Sequence, residues 1–182
     1  MFGTTAAIAE IYLHESQVNT TGGSKVTSES QDDGTVSLKD IQFKYPTKQD
    51  IQVIQHADIV VPKNKTVALV GTSGCGKSTI IQLIERFYDP DNGSVTYGKQ
   101  NVRDLEPQDF KKNMAIVQQE PVLFSGTIRE NIVYGLDFEP TKEQLDHACD
   151  QANAIKFVED KTTFPLGYDT VVGERGIKLS GG

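Results

Sequence analysis

At 182 residues, with 37% hydrophobic and 24% charged side chains, the chain has the length and apolar content of one well-buried soluble domain with a tail. Its formal net charge of −7 argues against a nucleic-acid partner, because phosphate backbones attract clustered Lys and Arg. Two cysteines, Cys75 and Cys149, are too few for a disulfide framework and have no His at metal spacing, which fits a reducing cytosolic setting.

No apolar run approaches the ~20 residues of a membrane-spanning helix, and the opening lacks the basic region and apolar core of a signal peptide. The sequons at Asn19, Asn64 and Asn92 therefore read as chance matches. Ile8, Ile11 and Tyr12 at i, i+3 and i+4 predict a short helix with one apolar stripe, too small to fold alone. From Asn19 to Thr35, "NTTGGSKVTSESQDDGT" is rich in Gly, Ser, Thr and acid with almost no apolar anchor, and reads as a flexible linker. The folded domain is expected to begin near Val36.

"VSLKDIQFKYP" alternates apolar and polar side chains with a phase shift near Asp40, the pattern of a half-buried strand with an irregularity, and Pro46 ends it. Short strands are expected at Gln52 to Ile54 and at Asp58 to Val61, giving a small antiparallel sheet. "TVALV", Thr66 to Val70, is a continuous β-branched run of the kind buried on both faces, and a Gly-rich loop follows it. Ile80, Leu83, Ile84 and Phe87 then fall at helical spacing. "DPDNG" is a turn cluster, "SVTY" returns as a strand, and "MAIVQ", Met114 to Gln118, predicts a further buried strand. Thr127 with Glu130, and Thr141 with Gln144, have capping-box spacing ahead of Ile128, Ile132 and Tyr134 and of Leu145, Ala148, Cys149 and Ala152. The second half thus reads as mostly helical, and no internal repeat is present.

The informative stretch is "GTSGCGKST", Gly71 to Thr79, which satisfies G-x-x-x-x-G-K-[ST] between an expected strand and an expected helix. Gly71, Gly74 and Gly76 let successive N–H groups turn inward toward phosphate oxygens, and the helix that begins near Lys77 adds its positive end. Lys77 is placed to reach β- and γ-phosphates, and the Ser78 hydroxyl to meet a hydrated Mg²⁺. Cys75 reads either as a thiol acidified by the helix start and Lys77 or as a small loop filler.

Several separated segments together resemble the nucleotide-binding domain of ABC transporters, most closely the multidrug-resistance, P-glycoprotein-like exporter branch. "FKYP" resembles that family's adenine-stacking motif, with Tyr45 as the stacking residue, and "GTSGCGKST" its Walker A loop. "VQQEPVLFSGTIRENI" resembles the Q-loop region, "VVGERG" the X-loop with Glu174 and Arg175 toward the coupling helices, and "LSGG" the start of the signature. The match runs from about Val36 to Gly182. One departure is Gly98 and Lys99 where relatives carry Asp-Gly, which bears on a turn and on no phosphate contact.

The resemblance implies an α/β fold: a P-loop NTPase (RecA-like) core with an N-terminal antiparallel β subdomain and an α-helical subdomain, incomplete at the C-terminus. Residues 1–18 would then be the end of a transmembrane-domain connection, 19–35 the linker, and 36–182 the N-terminal part of the nucleotide-binding domain. It implies ATP and Mg²⁺ as ligands, held by Tyr45, Gly71, Thr72, Ser73, Gly74, Cys75, Gly76, Lys77, Ser78, Thr79 and Gln119, with Ser78 and Gln119 on the metal. Ser180, Gly181 and Gly182 would bind the γ-phosphate held by a second nucleotide-binding domain in a head-to-tail sandwich, on the cytosolic side of a membrane beside transmembrane domains.

The family's Walker B Asp, general-base Glu, D-loop and switch His have no counterpart among these residues. The expectation is an ATP-binding segment without hydrolysis, marginally stable because "TVALV" loses a strand neighbour. The alternative is a short natural ATP-binding module that pairs with a full-length motor domain. A P-loop GTPase or DNA-repair ATPase fits less well, since "NKTV" at Asn64 lacks the guanine-specifying Asp and precedes the loop.

Overall fold

Leu38, Ile41 and Phe43 cannot all face one side of a regular strand, because side chains alternate with a period of two and the first pair is three apart. The computed structural model, which describes residue 18, residues 20–118 and residues 122–173, resolves the conflict inside strand β1, Val36–Phe43. Asp40 takes a left-handed φ of 49° and the register shifts between Leu38 and Ile41, so all three apolar side chains are buried. The irregularity expected near Asp40 is present.

Strand β2, Ile54–Val61, pairs antiparallel with β1, placing Val36 opposite Val61 and Phe43 opposite Ile54. The sequence suggested two short strands here; one strand runs through instead, with His56 left-handed at φ 51° where it faces the Asp40 irregularity. Strand β3, Asn92–Tyr97, which contains "SVTY", pairs with the other edge of β1, and β4, Gln100–Asn101, completes an antiparallel sheet of order β2-β1-β3-β4. The Gly98–Lys99 turn has a reason: Gly98, at φ 56°, lies so close to Ser30 that a Cβ would stand 2.6 Å from its Cα.

That Ser30 belongs to helix α1, Ser28–Asp33, in the stretch read as a flexible linker. The stretch is instead docked. Thr27 caps α1 by accepting from the Ser30 N–H at 3.2 Å, Val26 and Ser30 are buried, and Glu29 pairs with Lys99. Val26 N–H donates to Asp109 Oδ2 and Thr27 N–H to Gln100 Oε1, both at 2.7 Å. Polar side chains here serve as acceptors for backbone rather than as a solvated coil.

Helix α2, Lys77–Ile84, lays Ile80 and Leu83 into the core of Leu38, Ile41, Phe43, Ile54 and Val95. It stops before Phe87, which is exposed and lies under the Lys111 ammonium, 5.2 Å from the ring centroid. Helix α3, Pro107–Lys111, opens on Pro107 and buries Phe110 against Tyr97.

"TVALV" and "MAIVQ" differ from expectation. Neither forms a strand among the described residues, and Val70 is 90% and Val117 96% exposed. An apolar β-branched run becomes a strand only through ladder bonds to a neighbour, and neither run is paired in a sheet among the described residues.

The chain divides into two compact units, Met1–Ile116 and Val117–Gly182. In the second, β5, Gly126–Thr127, pairs antiparallel with β6, Val171–Val172. Three helices accompany them: α4, Ile128–Val133; α5, Lys142–Gln151; and α6, Ile155–Glu159. Both expected capping boxes form, Thr127 with Glu130 and Thr141 with Gln144. Ile128, Val158, Phe164 and Val172 make this unit's core. Tyr134, expected on the α4 stripe, is exposed past the helix end. The predicted helix around Ile8 to Tyr12 lies outside the described residues, as do Glu174 and Arg175.

These caps set two expectations. Thr141→Ala should lower unfolding stability by about 1 kcal/mol, read as a shift of the urea midpoint at unchanged m-value. The Glu130 carboxylate accepts from the Thr127 N–H and hydroxyl, which holds its pKa below the ordinary 4.5. Its contribution is therefore complete above the unfolded value and is lost as pH falls through the lowered one. Glu130→Gln should flatten that acid limb of the stability-against-pH curve, its loss of stability appearing at pH 7 and shrinking as pH falls through the lowered value.

Candidate functional site

The loop Gly71–Gly76 turns through two left-handed glycines, Gly74 at φ 80° and Gly76 at φ 93°. Gly76 is also the N-cap of α2 and offers no side-chain acceptor. A glycine is required there on two counts: its φ, and the Ile54 Cδ1 that a Cβ would meet at 2.5 Å. The first turn-closing bond of the helix is Ile80 N–H to Gly76 O at 3.0 Å. The N–H groups of Lys77, Ser78 and Thr79 thus have no acceptor among the described residues, the usual condition of a helix start that meets an anion.

Lys77 folds back over this opening. Its ammonium donates to Gly71 O at 2.9 Å, Thr72 O at 2.7 Å and Cys75 Sγ at 3.6 Å, and no carboxylate of the described residues pairs with it. The positive charge stands at the mouth of the loop, met among the described residues by two carbonyl dipoles and the Cys75 sulfur. Ser78 is exposed and its hydroxyl makes no hydrogen bond within the described residues, whereas Thr79 is 4% exposed and turned inward. Two adjacent hydroxyls are therefore sorted by the helix, one toward a ligand and one toward the fold. The donor set suits the phosphates of a nucleotide with its divalent cation: unpaired N–H groups, one unpaired ammonium and one free hydroxyl.

The inward hydroxyl meets Tyr45. Tyr45 O–H donates to Gln82 Oε1 at 2.8 Å, so the 2.8 Å contact with Thr79 has the Thr79 hydroxyl as donor. The Tyr45 ring stands edge-on to Phe43, centroids 5.1 Å apart, and to Tyr88 at 5.3 Å. The residue expected to meet adenine is thus brought beside the loop helix and tied to it by its own hydroxyl. Gln82 and Tyr88 were not foreseen, because nothing in the sequence spacing marks them as partners of Tyr45. A cavity of about 410 Å³ adjoins the loop, walled by Ile54, Ala68, Leu69, Gly76, Lys77 and Ile80. Cys75 is exposed at the loop edge. Gln119 and the Ser180, Gly181 and Gly182 triplet lie outside the described residues.

An antiparallel sheet backing a glycine loop that opens a helix, with a lysine over the loop carbonyls, defines a P-loop nucleotide-binding domain of α/β class. The ABC transporter family model matches residues 54–182, and the chain belongs to that family. It is 42% identical over 180 residues to ABC transporter B family member 1 of Dictyostelium discoideum, covering 99% of this chain and 19% of the relative. It is 44% identical to the leptomycin B resistance protein pmd1 of Schizosaccharomyces pombe, over 97% of this chain and 13% of that protein. Among solved structures, a bacterial Atm1-family ABC exporter with ATP bound aligns with a TM-score of 0.81 at 32% identity, over 98% of this chain and 30% of the exporter. The chain therefore spans less than a third of the length of each of these relatives.

Gly76→Ala separates the two demands at the helix start. It should lower stability by about 1–2 kcal/mol through the left-handed φ, and adding Ile54→Val, which removes the opposing methyl, should leave most of that loss in a urea melt.

Proposed function

We propose that this chain is the ATP-binding part of an exporter motor domain, coupling nucleotide binding to transport of a substrate across a membrane. The observation that carries the reading is the loop mouth, where N–H groups of Lys77, Ser78 and Thr79 and the Lys77 ammonium find, among the described residues, no acceptor and no neutralising carboxylate respectively. The family membership and the likeness to an ATP-bound exporter support it.

In this reading Gly71 to Thr79 hold the triphosphate, Lys77 swinging from the carbonyls of Gly71 and Thr72 to phosphate oxygens. Ser78 and Gln119 serve Mg²⁺, and Tyr45 offers its ring to adenine while Thr79 and Gln82 fix its tilt. Mg²⁺, when held there, would supply charge neutralisation for the phosphates. Ser180, Gly181 and Gly182 would complete the site of a second nucleotide-binding domain. Transmembrane domains are the other partners, which places the segment on the cytosolic side of a membrane; among the described residues no helix is long and apolar enough to cross one. Residues 1–18 would form the connection to those domains.

The chemistry of turnover needs more than this donor set. A positioned base contributes ~10²–10⁴-fold to such a hydrolysis, and these residues supply phosphate contacts without the family's general-base Glu. The 182-residue polypeptide should bind Mg²⁺–ATP in calorimetry, lose at least tenfold in affinity on Lys77→Ala, and release phosphate no faster than buffer. Lys77-independent binding would overturn the site assignment; Lys77-dependent turnover would overturn the division between binding and hydrolysis.

A further inference from the structure

Arg86, just past the end of α2, is almost wholly buried, its side chain 3% exposed, at a left-handed φ of 55°. A buried guanidinium is costly unless it is charge-paired and bonded through most of its N–H groups. Nη1 donates to Leu105 O at 2.8 Å and Nη2 to Arg103 O at 2.7 Å, while Nε faces Asp89 Oδ1 at 3.4 Å. The second Asp89 oxygen lies 3.6 Å from Arg103 Nε, so one carboxylate stands between two guanidinium groups. The C-terminal end of the phosphate-loop helix is thereby fastened to residues 103–105.

Those residues are held from another side by the docked strap. Ser24 N–H donates to Asp104 O at 2.8 Å, and Glu106 N–H returns a bond to Ser24 O at 2.8 Å. Gly23, at φ 111°, presses so closely that a Cβ would lie 2.6 Å from the Leu105 carbonyl carbon. A continuous set of contacts therefore runs from Gly23 and Ser24, through residues 103–106 and Arg86, along α2 to Lys77 and Ser78.

We propose that Arg86 is a positioning residue for the phosphate loop and that the strap at Gly23 and Ser24 secures its anchor. Nucleotide affinity then depends on backbone contacts made beyond the far end of α2, roughly 12 Å from the phosphate-facing turn at 1.5 Å per residue. The physical reason is ordering. N–H groups that must converge on phosphate oxygens bind best when the helix carrying them is already fixed, and each loosened anchor adds to what binding must order. Linkage makes the effect reciprocal, so bound nucleotide tightens the strap. The inference rests on reading Gly71 to Thr79 as the ATP site.

The test titrates the full chain with Mg²⁺–ATP and follows amide exchange at Ser24 and Glu106 with and without nucleotide. The unaltered chain should bind, with exchange at both amides slowed about fivefold or more. Gly23→Ala wedges the strap from Leu105 and touches no residue of the loop, α2 or Arg86. It should raise Kd about fivefold and abolish the slowing at Glu106, with the circular dichroism spectrum unchanged. Arg86→Lys keeps the charge but loses the planar fork that spans two carbonyls and Asp89, and should weaken binding alike. Because both act through one anchor, the double variant should be no weaker than Arg86→Lys alone. Wild-type affinity and intact slowing in Gly23→Ala, or additive effects in the double variant, would overturn the proposal. Should Arg86→Lys fail to fold, Gly23→Ala decides alone. An unaltered chain that folds but binds no nucleotide overturns the ATP reading itself, and with it the basis of this inference.

Discussion

A two-turn helix whose first N–H groups have no acceptor is not stable by its own ladder; tertiary contacts must hold it. Helix α2 is that helix, and much of the first unit serves to hold it. Ile80 and Leu83 enter a core whose floor exists because Asp40 breaks the alternation of β1 and keeps Leu38, Ile41 and Phe43 on one face. Tyr45 ties the helix to the end of β1 through Thr79 and Gln82. Arg86 fastens the opposite end. The N–H groups left unpaired at Lys77, Ser78 and Thr79 are therefore a feature the surroundings sustain.

The same arrangement explains how a chain of net charge −7 presents an anion site. Net charge governs long-range attraction and solubility, whereas a small polyanion responds to the few groups within reach. At the loop mouth those groups are one ammonium bonded to carbonyls and a helix start. Surface ion pairs such as Lys142 with Asp146 and Lys99 with Glu29 are neutral overall and contribute little in water.

What the sequence disclosed followed the range of the interactions involved. The capping boxes at Thr127 and Thr141 span three residues and were legible, as was the phase break at Asp40, because each is written within one segment. The glycine loop was legible for the same reason. The docked strap was not: its anchors join Ser24 to Asp104 and Val26 to Asp109, about eighty residues apart, and its Gly, Ser and Thr composition is that of a coil. "TVALV" was misread from the opposite side. Its composition states a readiness to pair, and pairing is a property of two segments. Tyr45 was placed by motif, but its partners Gln82 and Tyr88, like the buried Arg86, carry no local signature.

The exposure of Val67, Val70 and Ile116 bears on what the first unit depends on. Helix α2 and its loop keep their geometry although the run leading into them makes no ladder, so the phosphate-facing turn is positioned from the antiparallel sheet, from Arg86 and from the docked strap. The second unit rests on separate supports, two capped helices and the small core of Ile128, Val158, Phe164 and Val172. Overall likeness to an ABC exporter at a TM-score of 0.81 thus coexists with two local sources of order. A strand neighbour for "TVALV" would add apolar burial and ladder bonds beside the loop, stabilising a helix start that other contacts already orient.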